Sequence, residues 1–415
     1  MKKCLVSALV IFCSSASSSA QDLAPSQRSN DQAALFSEPK PITFVLDTVN
    51  GFLGSGKGEE KTGLYPAFDR IVSGAGWISV GPGYRRRVLG NRAVVDASAV
   101  ISWRAYKLGQ LRFEFTDLAN DRLSLGAQVA WQDVTQLHYF GPGPASAPET
   151  RSEYRLKTSN VGGYAAYRPS PWFAVSATAG RIDRPTIDSA TGPFDPDLPY
   201  SRDAFPADPA FSLARQPSFA HVGLAVTADS RDHAAHPTRG GVYELAWSRY
   251  ADLDLDSFSF NRYEAEAAHF LPALHDAVVF ALHGWTVRSD TAGDQTVPVY
   301  LMPSLGGSNT LRAYSNFRFH DRHVLLATAE ARIAITAQID GALFVDAGSV
   351  APDVSGLRLG NRSYGIGLRL HTYARTTMRI DAAQGREGWR LMFSLSDPLR
   401  LRRLERRIAA VPFVP

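Results

Sequence analysis

The chain has 415 residues, of which 45% are hydrophobic and 20% are charged, and its formal net charge is +4. This nearly balanced charge gives no basic footprint, so nucleic acid is excluded as a partner. The two cysteines, Cys4 and Cys13, both lie in the first twenty residues. Once that segment is removed, the rest of the chain has no thiol for a disulfide, a thiolate metal site or a cysteine nucleophile.

Residues 1–20 have the pattern of a secretory signal peptide. Lys2 and Lys3 precede a short apolar stretch at residues 5–12, and small residues at 18–20 suit a cleavage site. The apolar stretch is too short to span a bilayer. We therefore expect export and cleavage after Ala20, which removes two lysines and lowers the net charge to 4 − 2 = +2.

Residues 21–68 begin rich in Ser, Gln and Pro and predict a flexible periplasmic lead. This segment is shorter than an accessory domain of about 75 residues. Residues 51–58 come close to a phosphate-binding loop, but Gly58 follows Lys57 where that loop needs Ser or Thr, and no helix pattern follows. We therefore expect no nucleotide and no other cofactor.

Period-2 alternation dominates the chain from about residue 71 to residue 396. Leu123, Leu125 and Val129, for example, alternate with polar residues and glycine. No run of about 18 apolar residues follows the signal, so no transmembrane helix is predicted. Aromatic residues near the strand ends of the apolar face, opposite a charged and glycine-rich face, are typical of a transmembrane β-barrel with a wet lumen.

Residues 69–398 are therefore predicted to form an all-β, antiparallel transmembrane barrel. About fifteen strand segments can be counted, and because bacterial barrels close with an even number of strands, sixteen are expected. The missing strand is expected within residues 42–50 or inside a long segment. Short turns at 118–121, 168–171 and 385–388 suit the periplasmic side, and longer segments at 141–150, 183–217 and 289–321 suit the outside.

Two carboxylates are predicted to point into the lumen from neighbouring strands. Ala329 and Ala331 suit lipid, which turns Glu330 inward, and the same parity turns Asp346 inward. A buried charge is retained when it is paired. Arg312, on a long extracellular loop that can fold into the lumen, is the natural partner because its guanidinium can bridge two carboxylates. Separate solvation of each charge in a wet pore is the alternative.

These residues belong to two motifs, Gly306-Gly307 followed by Leu311-Arg312-Ala313-Tyr314, and Phe344-Val345-Asp346-Ala347-Gly348. The pattern resembles the BamA/TamA-type outer-membrane assembly barrels, also called bacterial surface antigen proteins. Their mark is a Gly-Gly and (Val/Leu)-Arg-Gly-(Phe/Tyr) loop in the lumen and a Phe-x-Asp-x-Gly strand. Glu330 matches the acid of the intervening strand, and residues 229–240 are similar to a further barrel signature. The resemblance spans residues 70–398, with Ala313 in place of the usual glycine.

The resemblance implies a stand-alone outer-membrane barrel, without the family's periplasmic repeat domains, that assists insertion or translocation of proteins or lipids. Its partners would be outer-membrane lipids and nascent outer-membrane proteins or periplasmic factors. The seam between the first and last strands would be the active element, because unpaired strand edges can template an incoming strand. The seam residues are Gly388, Trp389, Leu391, Phe393 and Leu395. A passive pore or structural surface barrel of the same fold is the second interpretation.

Neither a metal site nor an enzyme is predicted. His233/His236 and His320/His323 have i,i+3 spacing, but without a helix or acidic partners we expect solvated loop histidines. There is no Gly-x-Ser-x-Gly elbow, and Ser304, Ser308, His320 and Asp321 have no spacing that makes them a catalytic triad.

Residues 399–415 form a basic C-terminal tail. Five arginines cluster there, at positions 400, 402, 403, 406 and 407. Leu401, Leu404 and Ile408 stand at helical spacing. We expect a solvated tail, with a short interfacial helix against anionic headgroups as the alternative.

Overall fold

The structure is a computed structural model. It describes residues 62–401, except 70, 73–78, 235, 275, 373–374, 396, 398 and 400, together with residues 412–413. The expected signal peptide, the phosphate-loop-like segment and residues 42–50 lie outside the described residues. In the described part of the chain, no helix is long and apolar enough to cross a membrane.

Strands dominate the described residues, and sixteen of them form one antiparallel sheet in chain order. They are β1 (Gly63–Asp69), β2 (Ser79–Val88), β3 (Ala93–Ser102), β4 (Lys107–Leu118), β5 (Leu123–Tyr139), β6 (Ser152–Ser170), β7 (Phe173–Asp188), β8 (Phe219–Asp229), β9 (Gly240–Asp252), β10 (Phe260–Ala273), β11 (Val278–Thr291), β14 (His323–Ala334), β15 (Ile339–Ala351), β16 (Asn361–Thr372), β17 (Arg375–Gly385) and β18 (Gly388–Ser394). The predicted all-β barrel of sixteen strands is confirmed.

Smaller elements lie in the connections. A two-stranded sheet pairs β12 (Ser304–Leu305) with β13 (Phe319–His320) between β11 and β14. Two one-turn helices, α1 (Ser201–Ala204) and α2 (Pro209–Ser212), lie between β7 and β8. Single 3-10 turns occur at Pro148–Thr150, Val299–Leu301 and Val354–Gly356.

The strands bury their polar face and expose their apolar face. On β11, Phe280 and Leu282 are half-exposed, whereas Ala281 between them and His283 and Trp285 after them are buried. A soluble sheet would do the reverse, because water favours the polar face. An apolar exterior around a polar interior is the arrangement of a barrel whose outer surface meets lipid.

The first strand lies where the sequence analysis did not place it. β1 covers residues 63–69, so it takes up the end of the segment expected to be a flexible lead, and it is not hidden within a longer segment. Gly63 and Pro66 obscured its alternation, since both residues are typical of turns. Proline is tolerated here because β1 pairs only with β2 and its other edge has no ladder in the described residues.

The order of the strands also assigns each connection to one end of the barrel. The connections that follow β5, β7 and β11 share one end, named here the long-loop end; the opposite end is the short-turn end. Because neighbouring strands are antiparallel, the turn after β17 lies at the long-loop end. The expectation that residues 385–388 form a periplasmic turn together with 118–121 is therefore wrong; turn length does not determine the side.

The sheet has two short terminal strands. β1 and β18 have seven residues each, whereas β17 has eleven. Among the described residues, no hydrogen-bonded ladder joins β1 to β18. β1 and β18 are therefore the terminal strands of the sheet in the part of the chain that the structure describes.

Candidate functional site in the barrel lumen

The long connection between β11 and β14, residues 292–322, folds into the lumen through a tight turn. Gly306 and Gly307 have φ values of +114° and +93°, which favour glycine. The Gly307 amide donates to the Tyr314 carbonyl at 3.0 Å. A Cβ on Gly306 would lie 2.1 Å from the Ser315 carbonyl oxygen. The Gly-Gly pair thus allows the loop to return on itself.

We expect Gly306→Ala to loosen this loop. The new methyl group meets backbone and the backbone conformation is strained, at a cost of about 1–3 kcal/mol. Limited proteolysis should cleave residues 292–322 faster than in the parent. Gly293→Ala is the matched control: Gly293 also has a positive φ, of +55°, but a Cβ there meets no atom of the described residues within 4 Å. Equal protease resistance of Gly306→Ala and the parent would contradict the inferred turn.

The loop delivers Arg312 to two carboxylates on adjacent strands. Its Nη1 donates to Glu330 Oε2 at 2.8 Å, and its Nη2 and Nε donate to Asp346 Oδ1 at 2.8 Å and Oδ2 at 3.0 Å. The Arg312 backbone amide also donates to Asp346 Oδ2 at 3.2 Å. Only 1% of Arg312 is exposed, so the structure brings the three sequence-predicted residues together in a buried fork-shaped contact, named here the arginine clamp.

The residues of the strand motif around Asp346 pack directly against the loop. Arg312 Cζ lies 3.3 Å from the centre of the Phe344 ring, a cation–π contact. Two residues beyond Asp346, a Cβ on Gly348 would lie 2.5 Å from the Leu325 carbonyl oxygen and 3.1 Å from Leu305 Cδ1. Phe344 therefore stacks on the guanidinium, and Gly348 leaves room for the loop.

The remaining loop-motif residues pack inside the barrel. Leu311 and Tyr314 are buried, and the Tyr314 ring meets Phe319 edge-on at 5.3 Å. Ala313, which stands where the resembled family has glycine, is buried as well, and its Cβ lies 2.8 Å from the position that a Cβ on Gly385 would occupy. The loop tip therefore lies against β17.

Most of the charges around the clamp were not among the predicted site residues. Glu330 also accepts from Arg369 Nη2 at 2.9 Å and from Arg332 Nε at 3.1 Å. Asp381 accepts from Arg379 Nη1 at 2.7 Å and is also paired with Arg369. The network holds four guanidinium groups, of Arg312, Arg332, Arg369 and Arg379, and four carboxylates, of Glu330, Asp346, Asp381 and Asp397. Its formal charge is 4 − 4 = 0, which makes its burial tolerable.

Alternation along the strands turns Arg332, Arg369, Arg379 and Asp381 inward, because each of them alternates with lipid-facing positions; Asp397 lies beyond the end of β18, where this rule does not apply. Alternation could not supply their contacts, which depend on the register of β16 and β17, where Arg369 stands opposite Arg379.

The loop is tied to the last two strands as well. Arg379 Nη2 donates to the Ser308 carbonyl and to Asn309 Oδ1. Arg390 Nη1 donates to Ser315 Oγ at 3.0 Å, and Arg318 Nε pairs with Glu387 at 2.8 Å. Hydrogen bonds and an ion pair therefore hold the loop to the β17–β18 hairpin, so a movement of one disturbs the other.

The predicted seam residues lie apart from the clamp, on the outer face and at the start of β18. Gly388 begins the strand with a φ of +108°. Trp389, Leu391, Phe393 and Leu395 are exposed side chains on one face. They can contact lipid or an incoming strand, whereas the inward Arg390 contacts the loop.

The loop histidines differ from expectation. His233 is exposed, but His320 and His323 are buried and His236 has only 11% of its side chain exposed. The His320 ring contacts the rings of Phe317 and Tyr139, with centroid distances of 6.1 Å and 5.4 Å. Burial lowers the pKa of His320 to about 3, so this imidazole is neutral at neutral pH. The expectation of solvated histidines is wrong for three of the four, because the loops fold inward.

The C-terminal tail also enters the lumen. Leu399 and Leu401 are buried against inward residues of β9–β11, including Phe270. The Phe413 amide donates to the Tyr300 carbonyl at 2.8 Å, and Arg262 Cζ lies 4.0 Å from the Phe413 ring. The expectation of a solvated or interfacial tail is wrong for these residues. Leu404, Ile408 and the five arginines lie outside the described residues.

A family model for the Omp85 superfamily domain matches residues 88–384. The chain belongs to the Omp85 superfamily. The resemblance to BamA/TamA-type barrels is thereby confirmed. Omp85 homologues are outer-membrane barrels of Gram-negative bacteria that act on substrate proteins there, as transport or assembly factors.

A solved structure of BamA shares this fold. The BamA structure from Haemophilus ducreyi lacking POTRA domains 1–3 is 13% identical, with a TM-score of 0.58 over 88% of this chain and 83% of that chain. CdiB from Acinetobacter baumannii and CdiB from Escherichia coli are each 12% identical, with TM-scores of 0.49 and 0.46. The alignment with the Acinetobacter baumannii protein covers 81% of this chain and 57% of that chain. The alignment with the Escherichia coli protein covers 79% of this chain and 59% of that chain. No curated protein sequence matches significantly.

Proposed function

We propose that this Omp85 barrel resides in the bacterial outer membrane after signal-peptide cleavage and assists the insertion or translocation of proteins there. The observation that carries the proposal is the match to the Omp85 superfamily domain over residues 88–384, together with terminal strands of only seven residues each at the two ends of the sheet. Edge strands of this kind can pair with another extended chain through backbone hydrogen bonds. Nascent outer-membrane proteins and periplasmic factors are the proposed partners, with outer-membrane lipid around the barrel.

The contacts of the loop support a role for the seam rather than for the lumen. The network around Arg312 and the buried Leu401 and Phe413 occupy the interior, so a passive conduit is not the function that this geometry favours. The same loop holds Arg379 and Arg390 next to the seam. A client that separates β18 from its neighbours would therefore disturb the loop, which couples seam opening to the lumen.

The domain division goes with this proposal. Residues 1–20 serve as the export signal, and the segment from residue 21 up to β1 serves as a periplasmic lead. The barrel extends from β1 to residue 398. Residues 399–415 form a tail whose described part lies in the lumen. The chemistry required is strand pairing, without an enzymatic step or a cofactor.

Stapling the seam tests the function. We expect a disulfide between a cysteine at residues 64–68 and one at residues 389–393 to lower folding of an unfolded outer-membrane protein in proteoliposomes at least ~10-fold, because the templating edges are no longer available. A reductant should restore the rate. The background is suitable because the natural cysteines, Cys4 and Cys13, precede the barrel.

The control staple is Ala265→Cys with Thr286→Cys, which stand opposite each other in the closed β10–β11 ladder. It should leave the rate unchanged. Activity that survives the seam staple would rule out the seam mechanism. A parent barrel that folds no client and opens as a stable, uniform channel would support the passive pore instead.

A further inference from the structure

Three potential metal ligands meet at the short-turn end of the barrel. His236 lies in the turn between β8 and β9, Asp340 near the start of β15 and His371 near the end of β16. Each offers one ligand atom, and these atoms lie within 4.8 Å of one another. His236 Nε2 is 3.3 Å from Asp340 Oδ2, and His371 Nε2 is 3.3 Å from Asp340 Oδ1. Among the described residues, this is the one such group of three.

The group is buried but its hydrogen bonding is incomplete. Among the described residues, Asp340 Oδ2 and His236 Nδ1 have no hydrogen-bond partner although both atoms are shielded from solvent; the approach of His236 Nε2 to Oδ2 is an ion-pair contact without hydrogen-bond geometry. Leaving a buried polar group unsatisfied costs about 1–3 kcal/mol. Beside the group lies a cavity of about 20 Å³, lined also by Thr336 and Arg332. A space of roughly 10–15 Å³ or more, on this measure, holds one water molecule or ion.

The three ligand atoms lie close enough to be drawn onto one tetrahedral metal ion. Ligand atoms held about 2.0–2.1 Å from zinc at the corners of a tetrahedron are roughly 3.3–3.4 Å apart. His236 Nε2 and His371 Nε2 each lie 3.3 Å from a carboxylate oxygen of Asp340, but from different ones, Oδ2 and Oδ1, so one imidazole must shift for a single oxygen to complete the set. Two imidazoles and one carboxylate form a common zinc ligand set, with water at the fourth position. The two imidazole rings stack at 3.7 Å, 11° from parallel, so they must tilt apart for both nitrogens to face one ion.

The surrounding charges permit a dication. Asp340 supplies one negative charge, and the nearby Arg332 is already neutralised by Glu330 and by Asp397 at 2.9 Å. Asp276 also lines the cavity, where its partner is Arg239 at 3.0 Å. No unpaired cation of the described lining residues therefore opposes a bound metal ion.

We propose that His236, Asp340 and His371 bind a divalent transition-metal ion of the zinc class. The ion would fasten the β8–β9 turn to β15 and β16, which lie at other positions of the sheet, and so brace the short-turn end of the lumen. This reverses the expectation of no metal site. The sequence could not reveal it because the ligands come from three separate segments, and the i,i+3 neighbour of His236, His233, is not one of them.

The test uses the full-length barrel in detergent, stripped with EDTA and titrated with zinc sulfate by calorimetry. We expect one zinc ion per chain and a rise in Tm on loading. His371→Ala and His236→Ala should each weaken zinc binding by at least roughly 100-fold. Loss of a residue that only supports a metal ligand already weakens binding up to about 100-fold, and these substitutions remove a ligand itself. His233→Ala is the matched control, because it removes an exposed histidine from the same turn, and it should bind zinc like the parent.

A second measurement needs no variant. Cobalt(II) added to the stripped parent should give the intense visible absorption of a tetrahedral site and be displaced by one equivalent of zinc. Heat-modifiable gel mobility identifies any variant that fails to fold. If a histidine variant fails to fold, Asp340→Asn is measured in its place. Absence of zinc uptake by the parent, an octahedral cobalt spectrum, or equal uptake by folded His236→Ala and the parent would each overturn the proposal.

Discussion

Arg312→Ala is expected to be the most damaging single substitution in this barrel. It leaves Asp346 without its bidentate partner and Glu330 with one guanidinium fewer, and both carboxylates are buried. Removing one member of a buried ion pair costs about 3–5 kcal/mol, because the remaining charge is uncompensated in a low-dielectric interior. We expect a lower urea midpoint for unfolding in detergent and rapid proteolysis of residues 292–322.

Two further variants separate the causes. Arg312→Lys keeps the charge but loses the planar fork, so an intermediate loss is expected. Arg322→Ala removes another arginine of the same loop, whose partners are Thr291 and the Pro352 carbonyl rather than buried carboxylates, and it should change stability by about 1 kcal/mol or less. If Arg312→Ala and Arg322→Ala behave alike, the clamp does not hold the loop.

Ending the chain after residue 398 is expected to have the second large effect. The truncation removes Leu399, Leu401 and Phe413, which are buried in the lumen. Each such side chain contributes about 1.5–3 kcal/mol of burial, so their joint loss removes the docked tail. In planar bilayers we expect the parent to show rare, brief openings and the truncated barrel to show longer and larger ones, because space in the lumen becomes available to water and ions.

A point substitution checks that the tail acts through its docked residues. Leu401→Asp places a charge among apolar side chains and should reproduce the conductance of the truncated barrel. Leu274→Asp is the matched control, since Leu274 is 74% exposed in the β10–β11 turn at the same end of the barrel, and it should conduct like the parent. Unchanged conductance in both the truncation and Leu401→Asp would show that the tail does not obstruct the lumen.

Many features of the fold could be predicted because side chains of a strand alternate between two faces without exception inside a regular ladder. That rule alone turned Glu330 and Asp346 inward and gave the approximate number of strands. It missed β1, where Gly63 and Pro66 interrupt the pattern. It placed residues 385–388 at the wrong end, because the side of a turn depends on the count of strands before it rather than on its length.

By itself, then, the sequence determined the sheet, its lipid-facing and lumen-facing sides, and the loop and strand motifs that place Arg312 next to its carboxylates. The tertiary structure alone decided which other residues meet inside the barrel: Arg369 with Glu330, His236 with His371 and Asp340, and Phe413 with Arg262. The physical reason is the separation of the contacting residues along the chain. Alternation is a property of neighbouring residues, whereas these contacts depend on register, on the closeness of distant strands and on segments that fold back into the lumen, none of which leaves a local pattern.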